Sequence, residues 1–267
     1  MAQQIWLEGY SLQSDTIITQ KFDHEGLQID QSKLKIPHRS GEKFVSYTYA
    51  TRSISLDGNI VNTTASGQDS TVDTFKKNVI GAMDNQLRFD YKGGSLNRAY
   101  QVNVTNVILP RDYYNLTLVP FSIQCEAVDP PFAYDYTVIH MSPMTQSGKL
   151  DTIMTLSGNA PLVPIITITQ KNSTQLHYVI VENFFTDTSL MITPSGTMSI
   201  NKEIVIDMGA FICMTDSTET DLGDMTAAPT TGVYPTFIGG DEAELIVIPD
   251  NNGTSYEVKI DYYPRWL

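Results

Sequence analysis

Basic residues are scarce in this chain of 267 residues. Lys and Arg number 17 against 30 Asp and Glu, for a formal net charge of −13 and an isoelectric point near 4.6. No Lys/Arg cluster forms the basic stripe with which a DNA-coating protein replaces the counterions around phosphate. The same shortage argues against an anionic membrane surface. Cysteine is rarer still, with two residues, which excludes a disulfide-stapled secreted domain. Cys125 lies in the alternating run Phe121, Ile123, Cys125, Ala127, and Cys213 follows Phe211–Ile212, so both read as buried free thiols. One disulfide between them stays open on the sequence alone. No apolar run approaches the roughly 18–20 residues that span a bilayer. The start, Met1-Ala2-Gln3-Gln4-Ile5-Trp6, has no basic stretch followed by an apolar core, so the expectation is a chain without a signal peptide, made in a cytoplasm. Five Asn-X-Ser/Thr triplets, at Asn62, Asn103, Asn115, Asn172 and Asn252, then read as by-products of Asn/Thr-rich strands and turns rather than as glycosylation acceptors.

Signatures of chemistry are also missing. His24, His38, His140 and His177 include no pair at metal-ligand spacing. There is no Gly-X-Ser-X-Gly elbow, phosphate-binding loop or dinucleotide fingerprint. The stretch Asp216-Ser217-Thr218-Glu219-Thr220-Asp221-Leu222-Gly223-Asp224 has enough oxygen ligands for Ca²⁺ but not the ligand order of an EF-hand, and a solvated acidic loop is the simpler reading. Asp241, Glu242 and Glu244 form a second acidic cluster. A glycosidase needs two carboxylates facing one cleft at a set separation, and too many Asp and Glu qualify for a pair to be read. A sugar-binding module needs only aromatic faces beside polar groups, but Trp6 and Trp266 are the two tryptophans, and Tyr in strands ordinarily packs across strands.

What is present is β-forming. Hydrophobic residues make up 41% and charged residues 18%, too apolar for a disordered chain. Ile5 to Ile18 reads as extended, and Val45 to Leu56 as a strand ended by the turn signal Asp57-Gly58. Ser70-Thr71-Val72-Asp73 fits a capping box, and Val72, Phe75, Val79, Ile80 and Met83 recur at helical spacing, predicting one helix from Thr71 to about Asp84. Val102 and Val104 alternate, then Val107–Ile108 shift the phase, which predicts a bulge. Asp129-Pro130-Pro131 stops the strand from Phe121 to Cys125, and a domain boundary is expected near Pro130–Pro143. The second half holds short strands at Ile165–Ile168, Tyr178–Val181, Leu190–Ile192, Met198–Ile200 and Ile204–Met208, a spacing that suggests a sandwich or barrel. Leu245–Ile248 and Tyr256–Tyr262 flank Asp250-Asn251-Asn252-Gly253, the pattern of a hairpin.

Several of these segments, in order, resemble the distal tail proteins of long, non-contractile-tailed bacteriophages. The resemblance rests on Arg52-Ser53-Ile54-Ser55-Leu56-Asp57-Gly58-Asn59-Ile60 followed by the amphipathic helix. It continues with the strand pair Asn97–Leu109 and Leu116–Val128, Asp129-Pro130-Pro131-Phe132-Ala133-Tyr134, and Gly158-Asn159-Ala160-Pro161 leading to Pro164-Ile165-Ile166-Thr167-Ile168. It ends with Ile260-Asp261-Tyr262-Tyr263-Pro264-Arg265-Trp266-Leu267. The signature positions are Gly58, Asp129, Pro130, Phe132, Pro164, Pro264, Arg265 and Trp266, all structural, with no catalytic, cofactor or metal residue among them. The resemblance implies a mainly β chain. Residues 1–133 would be an N-terminal β-barrel-like, ring-forming domain with one α-helix, and 134–267 a C-terminal galectin-like β-sandwich. It further implies a non-enzymatic virion protein, assembled in the bacterial cytoplasm without a cofactor. Six copies would form a ring that joins the tail tube protein to the tail-tip hub or tail-associated protein and to receptor-binding proteins. Galectin-like describes a fold and carries no sugar site with it. A carbohydrate-binding β-sandwich protein is the second reading and predicts glycan affinity of the isolated chain; a glycosidase is the third.

Overall fold

The computed structural model describes residues 4–24, 26–35, 42–80, 85–91, 96–110, 117–127, 131–174, 176–194, 198, 200–216, 225–227 and 230–267. The chain divides into two compact units, Met1–Tyr136 with Leu267, and Thr137–Trp266.

The first unit contains β1 (Ile5–Leu7), β2 (Tyr10–Ser11), β3 (Ile17–Asp23), β4 (Ile29–Lys35), β5 (Glu42–Tyr49), β6 (Arg52–Val61), α1 (Ala65–Val79), β7 (Asn85–Tyr91), β8 (Leu96–Ile108), β9 (Leu118–Ala127) and β10 (Ala133–Asp135). The main sheet runs β2-β1-β7-β8-β9-β6-β3, with β10 on β8. β8 is shared: it pairs with β7 up to Val102 and with β9 from Asn103, and its register shifts between Val104 and Asn106. The predicted bulge therefore exists, two residues before the phase change that signalled it. Val45 to Leu56 is not one strand but the end of β5 and the start of β6, broken at Ala50-Thr51.

The β-barrel-like first domain expected from the resemblance does not form. Among the described residues no sheet closes on itself, and β2 and β3 end the path. Between them lies the isolated bridge Gln13–Ile18, where the Thr19 amide donates to Gln13 Oε1 at 2.9 Å. Closure needs a staggered ladder between first and last strands, and a strand of two residues is too short to supply one.

Asp57-Gly58 is not a turn either; both residues lie inside the ten-residue β6. Gly58 pairs with Phe121 on β9. A Cβ on Gly58 would stand 2.6 Å from Phe121 Cζ and would clash with the Ile18 carbonyl oxygen. The missing side chain lets the Phe121 ring lie across β6, where it meets Phe75 of α1 at 5.0 Å between centroids.

The helix starts earlier than its sequence signal. Thr64 is the N-cap, accepting from the Gly67 amide at 3.2 Å, and Ser70 sits inside the helix, its carbonyl accepting from Thr74. The buried face is Gln68, Val72, Phe75 and Val79, while Ile80 is exposed; Met83 and Asp84 lie outside the described residues. Gln68 decides the difference. Its Nε2 donates to the Ile60 carbonyl at 2.9 Å, so a polar residue occupies a core position and extends the docked face by a turn.

The second unit contains β11 (Ile139–His140), β12 (Met144–Ser147), β13 (Leu150–Thr155), β14 (Pro161–Leu162), β15 (Ile165–Gln170), β16 (Val179–Asn183), β17 (Thr188–Ile192), β18 (Glu203–Asp207), β19 (Ile212–Asp216), β20 (Met225–Ala227), β21 (Thr230–Gly232), β22 (Phe237–Ile238), β23 (Glu242–Pro249), β24 (Ser255–Tyr262) and β25 (Arg265–Trp266). One antiparallel sheet runs β11-β24-β15-β18-β19-β20, with β12 also on β24. A second runs β13-β23-β16-β17-β21, and β14 pairs with β22. Alternating residues of both sheets share one buried core, including Ile166, Ile168, Ile204, Val258 and Ile260 from the first and Val179, Val181, Leu190, Leu245 and Val247 from the second. Cys125 and Cys213 are buried free thiols, one in each unit, and burial pushes each up to about 12.

The expected terminal hairpin is an arch. β23 belongs to one sheet and β24 to the other, so Asp250–Thr254 carries the chain across the core rather than back along its own partner. The turn chemistry is as read, with Asn251 Oδ1 accepting from the Gly253 amide at 2.8 Å. What differs is pairing, because Val179 already takes the position opposite Pro249. Tyr256 of β24 reaches back across the gap. Its hydroxyl accepts from the Leu150 amide at 2.9 Å and has the Gly148 and Val247 carbonyls at 2.7 and 3.0 Å.

Two substitutions test these assignments by urea unfolding. Gly58→Val should destabilise the first unit by about 3 kcal/mol through overpacking, whereas Gly26→Ala, where a Cβ meets nothing within 4 Å, should change the midpoint little. Tyr256→Phe should destabilise the second unit by about 2 kcal/mol, because it leaves a buried amide without its acceptor.

Candidate interaction surfaces

The signature positions are dispersed rather than gathered. Asp129 and Pro130 lie outside the described residues. Phe132 is buried, its ring edge-on to Tyr49 at 4.8 Å between centroids. Pro164 offers its carbonyl to the Met208 amide at 3.2 Å. Pro264 is buried, and Arg265 and Trp266, half-buried, form β25. Arg265 bridges Gly158, donates from Nη1 to the Pro161 carbonyl at 3.4 Å and accepts from the Asn159 amide at 2.9 Å. Gly158 has φ +124°, and a Cβ there would lie 2.6 Å from the Arg265 carbonyl oxygen, so the Gly158-Asn159-Ala160-Pro161 segment is built for that backbone approach.

The histidines are equally separate. His24 packs among Phe22, Phe89 and Tyr100. His140 lies 2.7 Å from Asp261, and His177 is exposed; His38 lies outside the described residues. Burial works against the Asp261 charge, yet hydrogen bonds from Lys259 and His140 hold its carboxyl below the usual range. Among the described residues no group of three or more His, Cys, Asp or Glu converges as a metal site. Of the acidic loop considered for Ca²⁺, residues 217–224 lie outside the described residues.

Two features of the first unit lie outside its main sheet. β4 and β5 pair with each other and with no other described strand, and the pair is fastened at its foot by the Tyr49–Phe132 contact and by the Ala50 amide on the Gln28 carbonyl at 2.9 Å. Beside its foot, a polar groove of about 600 Å³ is bounded by Asp23, Gln28, Ser53, Ser55, Gln124 and Glu126. On the opposite face of β6, Arg52 is buried, with Nη1 donating to the Tyr100 hydroxyl at 2.6 Å and to the His24 carbonyl at 3.3 Å, while Nε and Nη2 have no hydrogen-bond partner among the described residues. It cements the β3–β6–β8 corner as a structural cation.

Charge is unevenly divided. Residues 1–136 hold 12 Lys and Arg against 15 Asp and Glu, a net of −3, and residues 137–267 hold 5 against 15, a net of −10. On the outer face of the five-stranded sheet, Lys149 Nζ lies 2.8 Å from Asp151, and Asp151, Glu244 and Glu182 all act on this one cation. Glu244 is pushed above the usual carboxylate range by partial loss of its water and by the Asp151 carboxylate; Asp151 is held below it by Lys149 and Glu244. Large apolar side chains are exposed at the same end of this sheet: Ile153 is 62% exposed, Phe184 66% and Phe185 54%. The two phenylalanines escaped the sequence reading because they interrupt an alternating strand and fit neither period; adjacent rings in Asn183-Phe184-Phe185-Thr186-Asp187 were the available signal.

No protein-family model matches the chain, and no curated protein matches it. Comparison of folds is more informative. The crystal structure of the SPP1 Dit protein, described as a paradigm of the hub adsorption apparatus in phages infecting Gram-positive bacteria, superposes with a TM-score of 0.70 over 100% of both chains at 12% identity, so the two share their fold. Chains of the phage p2 baseplate, in its activated conformation with Ca and with Sr, superpose with TM-scores of 0.45 and 0.46 over 98% of both chains at 10% identity. The full-length match is one of fold.

Because folding raises the Glu244 pKa, the protonated side chain favours the folded state. That contribution is present below the unfolded-state value and is lost as pH rises through the raised one. Glu244→Gln should therefore raise the unfolding midpoint of the second unit at pH 7 and lose most of that advantage near pH 4, as thermal scans at both pH values will show.

Proposed function

We propose that this chain is a structural virion protein of a bacteriophage tail tip, whose copies form a ring, six in number, that joins the tail tube to the tip and carries the receptor-binding components. The observation that carries the reading is the full-length likeness to the SPP1 Dit fold, both units included. The arm β4–β5 supports it. A strand pair with no sheet of its own gives each copy an element to lay on the next, and head-to-tail contacts that turn by a fixed angle close into a ring. The chain acts by geometry and catalyses nothing. Its acidity suits the same role, since DNA passing through the bore meets no basic surface to which it would stick.

Negative-stain electron microscopy of the purified chain, with sedimentation at matched concentrations, tests the ring. Closed six-fold rings are expected. Monomers that stay monomeric when mixed with the tail tube and tip proteins of the same phage would overturn the ring reading.

A further inference from the structure

We propose that the outer face of the five-stranded sheet, at the end where Ile153, Phe184 and Phe185 stand exposed among carboxylates, docks a second tail-tip protein that presents an apolar pocket rimmed by Lys and Arg. The inference rests on the tail-tip reading above and names the surface and the chemistry of its partner.

Strand register brings Ile153 and the two phenylalanines to one end of the sheet. Ile153 pairs with Glu244 on one side of β23, and Asn183, the last residue of β16, pairs with Leu245 on the other, so the turn that carries Phe184 and Phe185 starts one residue from the Glu244 position. The aromatic turn is held in place. Asn183 Nδ2 donates to the Thr236 carbonyl at 2.6 Å, Thr186 and Thr188 share a hydroxyl hydrogen bond at 2.7 Å, and Asp187, at φ 50°, turns the chain into β17. The two rings, 6.3 Å apart and edge to face, are therefore presented in one geometry, which limits the entropy lost when a partner covers them. Paired exposed aromatics within a polar rim have the anatomy of a protein-docking hot spot.

Charge selects the occupant. Asp151, Glu182 and Glu244 surround a single Lys149 in a unit of net charge −10. An anionic lipid surface would be repelled. A second copy of this chain brings a further net charge of −13 and is repelled as a whole. A cationic protein surface answers the excess of carboxylates.

The test uses purified virions containing the full chain. A zero-length carbodiimide joins carboxylates to lysines, and mass spectrometry identifies the peptides. Cross-links from Asp151 or Glu244 to lysines of a different virion protein are expected, with glycine ethyl ester labelling of Glu244 suppressed several-fold relative to the isolated chain. Virions carrying Phe184→Ser and Phe185→Ser should lose those cross-links, while the isolated variant keeps its unfolding midpoint. Equal labelling of Glu244 in virions and in the isolated chain would sink the docking surface and leave the tail-tip reading standing. Absence of the chain from virions would sink both. Cross-links confined to copies of this chain, or flotation of the isolated chain with phosphatidylglycerol–phosphatidylethanolamine vesicles that the double variant abolishes, would give the patch to another occupant and overturn the proposal.

Discussion

The second unit is organised around a tyrosine that crosses its core. Tyr256 belongs to one sheet, but its hydroxyl sits among the Leu150 amide and the Gly148 and Val247 carbonyls of the other. A buried phenol is tolerable only where its oxygen finds partners, and here the partners fix the distance and register between the two layers. Burial pushes the phenol up to about 12, so it stays a neutral donor across the ordinary pH range. The arch from Asp250 to Thr254 places Tyr256 for this task. Had β23 and β24 paired as a hairpin, both strands would lie in one sheet and the core would have to be closed by other means.

In the first unit the equivalent constraint is an absence. Gly58 leaves room for the Phe121 ring, Phe121 offers a surface to Phe75, and α1 docks through Phe75 together with the Gln68–Ile60 hydrogen bond. Sheet, glycine, ring and helix form one chain of dependence. Among the described residues the unit stops short of a barrel, and its β4–β5 arm has no strand neighbours beyond itself. Open edges and unpartnered hairpins are a liability in a solitary protein. They are what a subunit needs if its neighbours are copies of itself.

Electrostatics separates the two units as clearly as topology does. A net of −3 stands against −10, so the second unit repels anionic surfaces more strongly than the first does, and more at low salt than at high.

Much of the local structure was legible in the amino-acid order. Alternation in Tyr256–Tyr262 and Ile165–Ile168 marks strands with one face inward, the run from Val72 to Val79 marks a helix, and the phase change after Val104 marks a bulge, because each reports a period that burial imposes on a single element. The burial of Cys125 was readable for the same reason; Cys213 is buried too, but Phe211 and Ile212, the apolar pair from which its burial was inferred, are exposed. Three features were decided by tertiary structure. Asp57-Gly58 carries a turn signal, yet packing against Phe121 makes it the middle of a strand. Asp250–Gly253 has hairpin chemistry, yet competition from Val179 for Pro249 makes it an arch. The helix starts at Ala65 rather than Thr71 because Gln68 finds a buried carbonyl that no local pattern announces. In all three a turn or cap motif states what a short segment can do alone, whereas the outcome follows from the partner it meets: Phe121 and Val179 lie tens of positions from Gly58 and Pro249, and the Ile60 carbonyl, eight residues before Gln68, lies in a strand beyond the helix.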